Sequence, residues 1–215
     1  MSVQLPDGSV LSIEASAGTA KPITAITNAN PAVATAAAHG FTDGDFVKIT
    51  SGWNRLNGRV VRVKNSDTNT FQLEGVDTSD AQKFPAGSGV GSVQEVATWT
   101  QVTQVLEFST SGGEQQFATY SFLEEDVEHQ IPTTKSPQSI GLSIGDDISL
   151  PWYPILSAAN DDRVPRAVRL QLPSGSMILY NGYATLNKTP TVTKGQVMAL
   201  AATVSLVGDV TRYAA

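Results

Sequence analysis

The sequence predicts a mainly β protein: a β-sandwich or partial barrel with one short helix, and a second, small barrel-like β domain inserted near the start. Three observations carry that expectation. Residues Arg166 to Val207 read as a tight hairpin followed by a third long strand, with apolar side chains at period two. Between Pro22 and Leu73, five short β-like pieces alternate with turn dipeptides at the spacing of a small barrel. A single segment, Pro151 to Asn160, reads as a helix of one to two turns starting near a proline.

At 215 residues the chain fits one large or two small domains, and an apolar fraction of 40% is enough to build a core. No window approaches the ~20 apolar residues that span a bilayer. The start, Met1 to Gly8, lacks the basic region and apolar run of a signal peptide, so no membrane insertion and a cytosolic place of synthesis are expected. Zero cysteines exclude disulfides, thiolate zinc sites and cysteine nucleophiles together. A net charge of −6 sets the chain against binding nucleic acid unaided, because phosphate is repelled.

Taken in order, Asp7 to Glu14 alternates around Val10, Leu11 and Ile13 and reads as a first strand. The short pieces that follow are Ile23–Ile26, Ala32–Thr35, Phe46–Ile49, Val60–Val63 and Thr70–Leu73. Asn30-Pro31, His39-Gly40, Asp43-Gly44 and Asn57-Gly58 punctuate them, residues that bond their own backbone or tolerate left-handed geometry. The small domain is expected to end near the glycine run 87–92 and a strand over 93–96, after which Trp99 to Phe108 resumes longer strands. Domain limits follow as 23–97 for the insert, with 1–22 and 98–215 forming the larger module. Phe122 to Ser136 is polar and reads as a long exposed hairpin loop, and 139–150 as another strand. In Arg166–Leu172, Val168, Leu170 and Leu172 share one face. Pro173-Ser-Gly-Ser176 makes the turn, and the return arm 177–183 can pack on both faces. In the last strand Met198, Leu200, Ala202, Val204 and Leu206 form a core face. Ala199, Ala201, Thr203 and Ser205 form an opposite face, small and neutral.

Residues with possible chemistry each have a plainer explanation. His39 precedes a glycine in a turn and His129 lies beside an acidic loop, so a shared metal or catalytic site has no support. The glycine run 87–91 leads into a strand and not the helix N-terminus of a phosphate loop. Glu124, Glu125, Asp126 and Glu128 lack the alternate-position spacing of a calcium loop, so they are read as a solvated or interacting loop. No nucleophile elbow, zinc-helix motif or paired-carboxylate constellation is present. The residues offer no catalytic, cofactor or metal site, and the chain is read as a non-enzyme with no cofactor.

The strand, Pro-x-Gly turn and aromatic return arm of Arg166 to Tyr183, with the loop Lys188 to Gln196 and the final strand to Asp209, resemble the major tail tube proteins of long-tailed, non-contractile bacteriophages of the lambda type. A second resemblance covers Ile23 to Val33, His39 to Asp45, Leu56 to Gly58 and Asn69 to Leu73. These stretches are similar to a small β domain, related to one of ubiquitin-activating enzymes, that recurs in phage tail proteins. The first resemblance implies a structural virion protein whose hexameric rings stack into a tail tube, made in the host cytoplasm and located in the virion tail. It implies DNA passing through without specific binding, and as partners the chain itself, a tape measure protein, a tail terminator and a tip complex. Six copies at −6 each carry −36 per ring, which suits sliding DNA. On that reading Glu124, Glu125, Asp126 and Glu128 form an assembly loop. Ala199, Ala201, Thr203 and Ser205 then face a subunit contact or the lumen. The first rival is a tail-tip or adhesin component binding bacterial surface carbohydrate, whose expected sign is an exposed aromatic cluster; Trp53, Trp152 and Tyr153 are too scattered in sequence to suggest one. A second rival, a virion-associated hydrolase, is disfavoured by the missing catalytic constellations.

Overall fold

The computed structural model describes residues 7–215. In chain order the strands are β1 (Val10–Ala17), β2 (Lys21–Ile23), β3 (Ala25–Ile26), β4 (Ala32–Thr35), β5 (Phe46–Ser51), β6 (Val60–Lys64), β7 (Thr70–Leu73) and β8 (Gly91–Val102). They continue as β9 (Val105–Ser111), β10 (Gln115–Tyr120), β11 (His129–Lys135) and β12 (Ser139–Gly145). After helix α1 (Trp152–Asp162) come β13 (Arg166–Gln171), β14 (Met177–Leu186), β15 (Ala199–Leu206) and β16 (Thr211–Tyr213). The protein is mainly β, as its alternating patterns predict.

The first half builds a small barrel. Bonded neighbours run β3, β4, β7, β6, β5, β8, and β2 pairs with β8. Since Val93 of β8 is opposite Lys21 on one side and Ile49 on the other, and β2 leads into β3 across Thr24, the circuit closes. The alternation of β4, β5 and β7 sends every second side chain inward, where Ala34, Val47, Ile49, Phe71 and Leu73 meet Trp53 and Leu56 in a core of their own. Trp53 donates its indole N–H to the Pro85 carbonyl at 2.8 Å, so its one polar atom is satisfied inside that core.

The second half is a seven-strand antiparallel path, β8, β1, β13, β14, β15, β12, β9, curved around α1. Trp152, Leu156 and Ala159, spaced i, i+4, i+7, put one helix face into a core with Ile13, Ile144, Val168, Leu186, Leu200 and Val204. The helix runs a turn longer than its sequence suggests. Arg163 ends it at φ 55°, while the Asp162 carboxylate accepts from the Val164 N–H at 2.8 Å and from Arg166 at 2.5 Å. The Val164 N–H and, after it, Arg166 hold the Asp162 carboxyl below the usual carboxylate range. The turn after β13 is closed by Gly175, at φ 88°, donating to the Leu172 carbonyl.

A third core joins barrel to sheet. Val60 and Val96 from the barrel side pack with Ala167, Leu179 and Tyr213, flanked by Phe46, Trp99 and Met177. The Arg169 guanidinium lies 4.8 Å from the centre of the Trp99 ring and 5.7 Å from that of Phe46. Glu14, its side chain 1% exposed, takes Lys48 at 2.6 Å and the Ala167 N–H at 2.7 Å. The Tyr213 hydroxyl accepts from the Arg62 N–H and donates to the Glu74 carbonyl, and Asn181 donates to the Gly58 carbonyl at 2.9 Å. Gly208 crosses Gly58 so closely that a Cβ there would sit 2.5 Å from the Gly58 oxygen.

Several expectations change. The strand expected at 93–96 and the one from 99 are a single strand, β8, whose first half closes the barrel and whose second half edges the sheet. The face of β13 opposite Val168 is graded: Ala167 is fully buried against the barrel, Arg169 is half-buried over Trp99 and Phe46, and Gln171 is exposed. The polar stretch 122–136 is half strand, since β11 occupies His129–Lys135. Met198, counted on the core face, precedes β15 and is 46% exposed.

Candidate assembly surfaces

The small neutral face predicted on the last strand extends across four strands. Ser205 is level with Ser139 and Ser111, Thr203 with Gly141 and Ser109, and Ala201 with Ser143 and Glu107. On the other side, Tyr183 and Thr185 of β14 complete the rows. Directly paired residues share a face, so this is one surface of hydroxyls, glycine and alanine bearing a single charge, Glu107. Ala201, Thr203 and Ser205 are exposed and Ala199 is half-buried. Its hydroxyls are partly turned on each other and on the backbone: Ser111 and Ser139 Oγ lie 2.9 Å apart, and Thr185 donates to the Thr203 carbonyl at 3.2 Å.

An arm leaves the far end of this surface. β10 and β11 pair only with each other, as an extension of the β9 and β12 hairpin. Every residue from Gly112 to Lys135 is exposed. Glu124, Glu125, Asp126 and Glu128 sit together at the tip, where Glu125 meets His129 Nε2 at 2.8 Å. Beside them are Phe122, Leu123 and Val127, with Leu123 wholly exposed. Tyr120 stacks edge-on against Phe122 at 5.5 Å, an exposed aromatic group the sequence reading missed. Its signal was present: Phe117, Tyr120 and Phe122 fall within one short stretch whose polar neighbours give them nothing to bury against. Trp53 and Trp152, by contrast, are core residues.

The two histidines are far apart in role. His39 is 4% exposed, its Nδ1 accepting from the Phe41 N–H at 3.0 Å and its ring packed on Phe41 and Phe71. Among the described residues no group of three or more His, Cys, Asp or Glu side chains converges as a metal site would. No helix among them is long and apolar enough to cross a membrane.

The sheet path ends openly. Among the described residues β9 bonds only to β12, and the second half of β8 only to β1, leaving two strand edges joined by Thr103 and Gln104. The open edges, the neutral sheet face and the solvent-borne arm are surfaces left without a partner among the described residues. The chain belongs to the phage tail tube protein family: the family described as "Phage tail tube protein, TTP" matches residues 51–215. That is a family of virion tail structure and not of enzymes. A chain in the six-fold symmetrised baseplate of the anti-feeding prophage is also similar, at 10% identity and TM-score 0.40, over 54% of this chain and 85% of that one. No curated protein is detectably similar.

Proposed function

We propose that the protein assembles into hexameric rings that stack into the tube of a lambda-type, non-contractile tail, and that DNA crosses the tube to reach the host. The observation that carries this reading is the neutral face of β14, β15, β12 and β9, with its one charge negative and its hydroxyls partly self-satisfied. As a lumen wall it gives phosphate no cation to hold. The open edges of β8 and β9 are the places where sheets of neighbouring copies join. The arm, with Glu124, Glu125, Asp126 and Glu128, is an assembly element. Tape measure, terminator and tip proteins are the partners such a tube needs, and subunits are made in the host cytoplasm. Residues 23–97 act as an appended module on the outside of the tube. Negative-stain microscopy of the purified protein tests this: rings or tubes of constant bore are expected, whereas monodisperse trimers that bind cell-surface carbohydrate would support an adhesin and end the tube reading.

A further inference from the structure

Arg59, Lys135 and Arg212 line a groove of about 560 Å³ where three elements meet: the turn before β6, the base of the arm, and β16. Its apolar lining is Ile178, Tyr180 and Val210, and Asp209 is its one carboxylate. None of the three cations has a carboxylate within ion-pair distance among the described residues. Arg59 reaches only the Thr211 hydroxyl, at 3.3 Å, and its Nε is buried without a partner. In a chain of net charge −6, three cations without an ion-pair partner around one groove offer a complementary surface to an anionic occupant.

We infer that the groove receives the arm tip of a second copy, so that the barrel is part of the subunit contact and not only an outer decoration. The inference rests on the reading of the arm as an assembly element. The tip supplies what the groove lacks: Glu124, Asp126 and Glu128 for the cations, Leu123 and Val127 for the apolar lining. A copy's own tip cannot serve. Lys135 ends the seven-residue β11, and at ~3.3 Å per residue a paired strand holds the tip more than roughly 20 Å from its own groove. Tip into groove is a head-to-tail contact, which repeats from copy to copy and closes into a ring or continues as a filament. Because one groove wall is Arg59 of the barrel, removing the barrel weakens the contact even when the sheet is intact.

The test reverses charge at exposed positions. Glu124→Lys with Asp126→Lys on the tip, and Lys135→Glu with Arg212→Glu in the groove, should each reduce pelletable tubes about tenfold or more while leaving circular dichroism and the thermal midpoint unchanged. A protein carrying all four substitutions should assemble again, and so should a one-to-one mixture of the two doubly substituted proteins. Arg59→Gln should weaken assembly in the same way, and added salt should weaken the natural contact. Undiminished tubes from the groove-reversed protein, or a folded four-substitution protein that stays monomeric, overturns the groove as receptor while leaving the tube standing. If the natural protein forms neither ring nor tube, the tube reading fails, and this contact with it.

Discussion

At the residue scale the seam between barrel and sheet holds the most deeply buried ion pair among the described residues. Lys48 lies against a Glu14 carboxylate that is almost wholly out of water. Lys48→Met therefore leaves a buried anion with only the Ala167 N–H for company, and unfolding in denaturant should show a loss of about 3–5 kcal/mol. Glu95 has the opposite problem. Burial, and then the nearby Asp45 carboxylate, push its carboxyl above the usual range. A raised carboxyl pKa means the unfolded chain gives up the proton more readily, so ionisation at neutral pH costs stability. Glu95→Gln should raise the thermal midpoint at pH 7, with the gain shrinking as pH falls through the folded-state value and gone below the ordinary carboxylate range. A gain that persists in acid assigns the effect to packing. Glu74 runs the other way: hydrogen bonded to Arg62, its carboxyl lies below the usual range, and its contribution, full at neutral pH, declines as pH falls through the ordinary carboxylate range and is gone below the lowered value.

At the scale of elements the arm stands apart. α1 and the strands of the sheet are fixed by a common core, whereas β10 and β11 bury no large side chain, so their ladder lacks the packing that makes a hairpin stable in water. We expect amide exchange across Gln115–Lys135 to be fast in the monomer and slowed in the assembled tube, while Ile140–Ile144 stays protected in both. Exchange that remains fast in the tube excludes the arm as a contact element.

At the scale of the whole molecule one substitution probes assembly and one segment replacement probes folding. Ala201→Lys places a cation on an exposed row of the neutral face, so the monomer should keep its circular dichroism while tube formation or DNA passage fails. Intact infectivity and intact tubes would falsify the lumen placement. Replacing 23–97 with a short Gly/Ser linker has a different expectation. The cut divides β8 and uncovers Ala167, Leu179, Met177 and Tyr213, leaving Glu14 without Lys48. The shortened protein should be poorly soluble, and clean tubes of the same bore from it would show that the barrel contributes nothing to the contact.

The mainly β class, the two patterned halves, the neutral face and the acidic loop are legible in the chain alone, because each is written in local alternation, local charge or turn residues that act on their own neighbours. Val204 and Leu200 had to face a core, and Ser205 and Ala201 had to face away, whatever lay beyond. What the outward faces meet depends on how distant segments pack. Ala167 is as small as Ala201, yet one is buried against the barrel and the other is exposed, since burial depends on a partner some hundred residues away in the chain. The seam and the basic groove were hidden for the same reason: Arg59, Lys135 and Arg212 have no common period or spacing, and converge only because β16 returns to β14 beside the barrel and the base of the arm.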